Sequence, residues 1–176
     1  MRLFIAVNFD DAVRKRFLEI QTRLRSQCIR GNFTRPENLH LTLAFLGETP
    51  ETKTASILQI IEDVQALPDA MPFEVSFNHT GCFTHSHKEL WWVGANENCQ
   101  ALNRLKAIHS NLIKFLLDAN FSVDNRSFNP HITLGREIKH TERIILNCDE
   151  IKVKVDHLSL MKSEHIGRVL TYTELS

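Results

Sequence analysis

The sequence has few cysteines, and they lack the paired spacing of a zinc site. The four are Cys28, Cys82, Cys99 and Cys148, and no two stand in a C-x-x-C arrangement. This spacing argues against a zinc knuckle, and no bound metal is expected. Scattered cysteines without a recognisable signal peptide favour free thiols in a reducing compartment, so we predict a cytoplasmic protein.

Long apolar runs and an excess of one charge are also missing. No apolar run approaches the roughly 20 residues of a membrane-spanning helix, so no membrane association is expected. Lys and Arg total 21 and Asp and Glu total 21, which gives a formal net charge of zero. This balance argues against bulk non-specific binding of nucleic acid, although it leaves room for a local basic groove. A length of 176 residues suits one domain, or one domain with two lobes.

The sequence does contain a short pattern that occurs twice, about half a chain apart. Residues 40–43 read His-Leu-Thr-Leu, and residues 131–134 read His-Ile-Thr-Leu. A proline lies shortly before each copy and a glycine follows it, which favours a separate element at each place. The alternation predicts two strands, each with His and Thr on one face and apolar residues on the other.

Two such pairs facing one another could perform phosphoryl chemistry without a metal. Both imidazoles titrate near neutral pH, so one can act as general base and the other as general acid. Threonine hydroxyls can donate hydrogen bonds to the oxygens of an anionic group between them. The alternative is that each His-x-Thr is only the half-exposed polar face of a strand.

These residues resemble the paired H-x-T-x motifs of the 2H phosphoesterase family. Residues 2–7, 35–48 and 128–136 are similar to the bacterial and archaeal RNA 2′,3′-cyclic phosphodiesterases, also known as 2′-5′ RNA ligases. The resemblance implies an α+β fold with two pseudo-symmetric lobes of antiparallel sheet, flanking helices and an active-site groove between the lobes. Residues 1–176 are then expected to form a single domain in which each lobe supplies one motif.

The resemblance also implies an activity and the residues that perform it. The expected reaction is hydrolysis of an RNA 2′,3′-cyclic phosphate end to a 2′-phosphate, with no cofactor, and reversible 2′-5′ joining. His40 and His131 carry over as the catalytic residues, with His131 expected as base and His40 as acid, although the two motifs are too alike to fix the roles. Thr42 and Thr133 carry over as phosphate-binding residues. No P-loop or lysine nucleophile motif appears in the sequence.

Three further residues are candidates for substrate binding. Arg136 follows His131 by five residues, where the family commonly has arginine, and Phe45 holds the equivalent place after His40. Strict alternation puts Arg136 on the face opposite His131, so a phosphate contact requires a bulge or the end of the strand. Phe45 is expected to lie in the core rather than to support a base. Arg35, upstream of His40, can reach a phosphate or serve solubility.

The expected partner is RNA with 2′,3′-cyclic phosphate ends, such as tRNA fragments, and the protein is expected to be a monomer. Three alternatives stay open: a ligase acting mainly on ends like those of tRNA halves, an RNA-binding module with an inactive site, and a metal-dependent hydrolase. The motif residues argue against the second. The lack of Asp and Glu ligand clusters argues against the third, and His85 and His87 are not expected to bind metal.

The remaining patterns predict the element order β-α-β-α-β-β-α-β-α-β-β. The long helix of the second half is expected over residues 98–120 and a short one over residues 141–146. Residues 80–88 are expected to form a polar loop. Of Trp91 and Trp92, one can lie in the core and one can face the cleft for base stacking, with core packing of both favoured.

Overall fold

The computed structural model describes residues 1–124 and 127–175. Over these ranges the chain forms nine strands, three α-helices and two short 3-10 helices. The strands are β1 (Arg2–Asn8), β2 (Arg30–Phe33), β3 (His40–Glu48), β4 (Phe73–His85), β5 (Lys88–Ala95), β6 (His131–Lys139), β7 (Ile151–Val155), β8 (Ser159–Ile166) and β9 (Val169–Leu175). The α-helices are α1 (Asp11–Arg25), α2 (Thr54–Gln65) and α3 (Ala101–Asp118), and the 3-10 helices span Pro36–Asn38 and Glu51–Lys53.

The strands form two antiparallel sheets, which confirms the predicted α+β class. Sheet A has the order β3-β1-β8-β9, and sheet B has the order β2-β6-β5-β4-β7. Each sheet takes strands from both halves of the chain, because β2 pairs with the second motif strand, while β8 and β9 lie in the sheet of the first and are joined to it through β1. Strands β3 and β6 contact one another, so the two His-x-Thr motifs belong to neighbouring strands of different sheets.

The helices bury apolar faces on these sheets. Helix α1 begins at the N-cap Asp10, whose carboxylate accepts a hydrogen bond from the Val13 amide at 2.8 Å. Its buried face includes Phe17, and the ring of Phe17 meets that of Phe77 in sheet B edge-on, with centroids 6.0 Å apart. Helices α2 and α3 contact each other, and α3 buries five residues at helical spacing: Leu102, Leu105, Ile108, Leu112 and Leu116.

Several expectations from the sequence were wrong in detail. Residues 141–146 form no helix and cross the surface as an irregular segment. Residues 80–85 are not a loop, because β4 continues to His85 and pairs with β5 along this length. The turn comes at Ser86 and His87, which have φ angles of 47° and 63°. Strand β2 was not predicted, since its four residues carry no apolar pattern and pairing with β6 alone makes them a strand.

Two further observations concern the cysteines and the lengths of the helices. All four cysteines are free thiols, in agreement with the absence of paired spacing. In the ranges 1–124 and 127–175, no helix has the length and apolar character needed to cross a membrane.

Candidate active site

The first motif has its two polar side chains on one face of β3. Leu41 and Leu43 are fully buried, while His40 and Thr42 are partly buried on the other face, as predicted. The Nδ1 atom of His40 donates to the carbonyl of Asn38 at 2.7 Å, because a carbonyl can only accept. In a neutral ring Nε2 is then the acceptor, and the hydroxyl of Thr42 donates to it at 2.8 Å.

The second motif repeats this arrangement on β6. Ile132 and Leu134 are fully buried, while His131 and Thr133 are partly buried. The Nδ1 atom of His131 donates to the carbonyl of Asn129 at 2.6 Å, again two residues before the histidine. Both imidazoles are therefore held from Nδ1 by the same hydrogen bond.

A β-bulge follows each motif at the same position. In β3, Thr42 and Ala44 pair with successive residues of β1, so Leu43 between them has no pairing partner in β1. In β6, Thr133 and Gly135 pair with successive residues of β5, so Leu134 has no pairing partner in β5. A bulge adds one residue to one strand, which turns the residues after it to the opposite face. The fifth residue after each histidine therefore faces the same side as that histidine.

The bulges place Phe45 and Arg136 at the cleft. The expectation from strict alternation that Arg136 lies opposite His131 was wrong, because the bulge at Leu134 reverses its face. The expectation that Phe45 lies in the core was also wrong: Phe45 is 44% exposed. Its ring lies 6.2 Å from that of Phe4, centroid to centroid.

Aromatic rings surround His40. The centroid of Phe4 lies 4.9 Å from the imidazole, and that of Tyr172 lies 5.3 Å away and edge-on. Phe4 and Tyr172 also contact each other at 4.9 Å. These two residues were missed from the sequence, because only the pairing of β1 with β3 and β8 brings such distant positions together.

A second set of rings lies beside His131. The centroid of Phe83 is 5.3 Å from the imidazole and edge-on, and that of Trp92 is 6.1 Å away. Trp91 points to the other face, where its indole nitrogen donates to Glu89 at 2.8 Å. One tryptophan thus faces the cleft and the other packs against the core, so the preference for two core tryptophans was wrong.

The electrostatics show that the residues of both motifs act on each other. Burial is the main cause that lowers the pKa of His40 to about 4, and the charges of Arg136 and His131 lower it further. The hydrogen bond to Asn38 opposes this change. Burial raises the pKa of Tyr172, and Arg136 lowers it. Arg136 is therefore close enough to act on sheet A across the cleft.

The last predicted substrate contact, Arg35, lies just before the 3-10 helix that leads into β3. Its guanidinium forms an ion pair with Glu37 at 2.6 Å, and about half of each side chain is exposed. Within residues 1–124 and 127–175, no three His, Cys, Asp or Glu side chains cluster closely enough to hold a metal ion.

Asn38 is a further residue that the sequence did not point to. It is 4% exposed and lies at the end of the 3-10 helix before β3. Its carbonyl accepts from His40, while its side-chain nitrogen donates to the carbonyl of Leu170 in β9 at 2.9 Å. The orientation of His40 is thereby tied to the strand that carries Tyr172.

Known proteins resemble this chain in sequence and in fold. Residues 9–166 match the sequence profile of the 2′-5′ RNA ligase superfamily. A protein of Archaeoglobus fulgidus named RNA 2′,3′-cyclic phosphodiesterase is 33% identical over 77% of this chain and 72% of its own. A protein of the same name from Methanothermobacter thermautotrophicus is 30% identical over 99% of this chain and 96% of its own.

A solved structure extends the agreement to the whole fold. The crystal structure of TT0787 from Thermus thermophilus superposes with a TM-score of 0.77 and is 30% identical, covering 100% of this chain and 96% of that one. The resemblance noted in the sequence is thus confirmed. The chain belongs to the 2′-5′ RNA ligase superfamily, and it is a hydrolase of the 2H phosphoesterase type.

Proposed function

We propose that this protein hydrolyses RNA 2′,3′-cyclic phosphate ends to 2′-phosphates by acid–base catalysis with His40 and His131, without a metal. The observation that carries the proposal is that the same kind of hydrogen bond orients both imidazoles. Each donates from Nδ1 to a carbonyl two residues earlier, on neighbouring strands of different sheets. The names of the relatives, RNA 2′,3′-cyclic phosphodiesterase, support the substrate class.

The proton transfers balance between the two histidines. Nε2 of one neutral imidazole takes a proton from water as the water oxygen bonds to phosphorus. The bond between phosphorus and O3′ breaks, and the other imidazole, as imidazolium, gives its proton to O3′. The 2′-phosphate ester remains. We assign His131 as the base and His40 as the acid. Burial is the main cause that lowers the pKa of His40, and the charges of Arg136 and His131 lower it further. A phosphate anion beside the imidazole raises this pKa, because it stabilises the imidazolium directly.

The threonines and Arg136 are proposed to hold the phosphate. In the structure the hydroxyl of Thr42 donates to Nε2 of His40, and it can rotate to a phosphate oxygen when that nitrogen is protonated. Thr133 follows His131 on the same face and has the equivalent role. Arg136 supplies a cation at the cleft. The exposed ring of Phe45 and the guanidinium of Arg35 are proposed as RNA contacts beyond the phosphate.

The same site is proposed to join a cyclic phosphate end to a 5′-hydroxyl through a 2′-5′ bond. The 5′-hydroxyl then takes the place of water: the base removes its proton as O5′ bonds to phosphorus, and the acid gives its proton to the leaving O3′, so no additional residue is needed. RNA fragments with such ends, including those of tRNA, are the proposed substrates, and the protein is proposed to act as a single-domain monomer whose two lobes each supply one motif.

The test uses a short RNA with a 2′,3′-cyclic phosphate end in excess EDTA. We expect the wild type to form the 2′-phosphate, and His40→Ala and His131→Ala to lose about 10² to 10⁴-fold in rate. His157→Ala is the matched control, because His157 is more than half exposed and pairs with its neighbour Asp156 at 2.8 Å. An inactive wild type, or full activity in either motif variant, would overturn the proposal.

A further inference from the structure

A pair of stacked rings connects helix α3 to the segment that leads into the second motif strand. The imidazole of His109 on α3 and the ring of Phe128 are nearly parallel, with an interplanar angle of 4° and centroids 4.0 Å apart. Both residues are half-buried, and Phe128 packs against the main core. Neither residue belongs to a His-x-Thr motif, yet Phe128 precedes His131 by only three positions.

Two anchors flank the residue whose carbonyl holds His131. That residue is Asn129, which accepts from Nδ1 of His131 at 2.6 Å and is itself exposed. After it, the carbonyl of Pro130 accepts from the Ala95 amide in β5 at 3.1 Å. Before it lies Phe128, with its ring in the stack. A residue that precedes proline is restricted to extended backbone, so the direction of the Asn129 carbonyl follows the positions of its two neighbours.

The first motif fixes its equivalent carbonyl in a different way. Asn38 is 4% exposed, lies at the end of a 3-10 helix and bonds through its side chain to β9. Asn129 is exposed, and residues 127–130 form neither helix nor strand. The ring stack therefore supplies at His131 the support that burial and the 3-10 helix supply at His40.

We propose that His109 is a positioning residue for His131: its ring fixes Phe128, and thereby the Asn129 carbonyl that orients the imidazole of the base. This inference rests on the proposed function and adds a residue of α3 to it. Burial lowers the pKa of His109, which favours the neutral ring at pH 7. The contact needs a flat ring rather than a charge. Phenylalanine can therefore replace His109 in this role, whereas alanine cannot.

The structural test observes the two Nδ1 protons by NMR. Each is held by a hydrogen bond to a carbonyl, at 2.7 Å for His40 and 2.6 Å for His131. We expect His109→Ala to move the His131 proton upfield and to speed its exchange with water, while the His40 proton stays unchanged. Phe128→Leu, which removes the other ring, should have the same effect. His109→Phe should leave both protons as in the wild type.

The kinetic test uses the RNA with a 2′,3′-cyclic phosphate end. We expect His109→Ala to lower kcat by about tenfold and to leave KM unchanged, because a small displacement of a catalytic group slows the reaction more than it weakens binding. His109→Phe should restore the kcat of the wild type. Leu117→Ala is the control with unchanged kcat, because Leu117 is 51% exposed on the same helix.

Three results would overturn the positioning role. The first is an unchanged His131 proton in His109→Ala. The second is an equal change of the His40 and His131 protons, since the fold as a whole would then have loosened. The third is a kcat of His109→Phe as low as that of His109→Ala. A wild type that does not hydrolyse the RNA contradicts the proposed function instead, and the NMR comparison still decides the role because it needs no substrate.

Discussion

At the scale of single residues, the two candidate catalytic histidines are held alike but have different surroundings. Each donates from Nδ1 to the carbonyl two positions before it. His40 is enclosed by Phe4 and Tyr172, and burial lowers its pKa to about 4. His131 adjoins the exposed ring of Phe83. Two similar motifs therefore place their histidines in different surroundings, one enclosed and the other beside an exposed ring.

The lowered pKa of His40 predicts acid sensitivity of folding. Between pH 6.5 and about pH 4 the unfolded chain binds a proton at His40 and the native protein does not, so the free energy of unfolding falls as the pH falls. The full loss is about 3 kcal/mol, at 1.36 kcal/mol for each unit of pKa. His40→Gln should lack this component in urea unfolding at pH 7 and pH 4.

The control for this prediction is His157→Gln, which removes an exposed histidine outside the cleft. This variant should keep the slope of the wild type between pH 7 and pH 5, above the range in which Asp156, whose pKa Lys154 and His157 lower, binds a proton. Parallel pH curves for the wild type and His40→Gln would show that His40 titrates normally in the native state.

A change of leaving atom assigns the acid and the base. If sulfur replaces the leaving 3′ oxygen of the cyclic phosphate, the departing thiolate is a much weaker base and needs no proton donor. His40→Ala should then recover to within about tenfold of the wild type on this ester, whereas His131→Ala should stay impaired by about 10² to 10⁴-fold. Rescue of His131→Ala alone would reverse the two roles.

At the scale of elements, the two bulges decide which side chains face the cleft. The bulge in β6 is fixed by hydrogen bonds to the carbonyl of Leu134. That oxygen accepts from the Thr34 amide at 2.9 Å and from the side chain of Gln21 at 2.8 Å. Gln21 is 4% exposed on α1 and also donates to the Thr34 carbonyl at 2.7 Å. Helix α1 therefore supports the backbone that turns Arg136 to the cleft.

Removing the amide of Gln21 should weaken both the fold and the site. Gln21→Met leaves the Thr34 carbonyl without this donor, so we expect the free energy of unfolding to fall by about 1–3 kcal/mol. KM for the cyclic phosphate should rise, because Arg136 loses its fixed position. Gln59→Met is the control: Gln59 donates to Asp63 at the surface at 3.0 Å, and its loss should lower the free energy of unfolding by no more than about 0.5 kcal/mol. Equal free energies of unfolding for both variants would show that Gln21 does not stabilise the bulge in β6.

The pairing of Gly81 with the Trp92 ring can be measured by a double-mutant cycle. Gly81→Ala forces a Cβ into the indole, so it should lower the free energy of unfolding by about 1–3 kcal/mol. In a Trp92→Ala background the same change should be nearly neutral, because the space is then free. The same loss in both backgrounds would mean that the glycine serves the strand rather than the ring.

At the scale of the whole molecule, the sequence was sufficient for the two motif strands and the two-sheet class, and insufficient for what surrounds them. Alternation placed His40 and Thr42 on one face correctly, because a strand has a fixed period. The faces of Phe45 and Arg136 were wrong because a bulge leaves no mark in the apolar pattern. The aromatic neighbours of each histidine depend on strand order, which local patterns do not contain.

The order of sheet A has a consequence for the newly made chain. Strand β1 lies between β3 and β8, so one of its edges stays unpaired until β8 has been synthesised. On the ribosome, both His-x-Thr motifs emerge before β8 does. Until then β1 carries an open edge able to pair with another chain. His40 meets Tyr172 only when β9 has been translated, so the nascent protein holds every motif residue before its first histidine is enclosed.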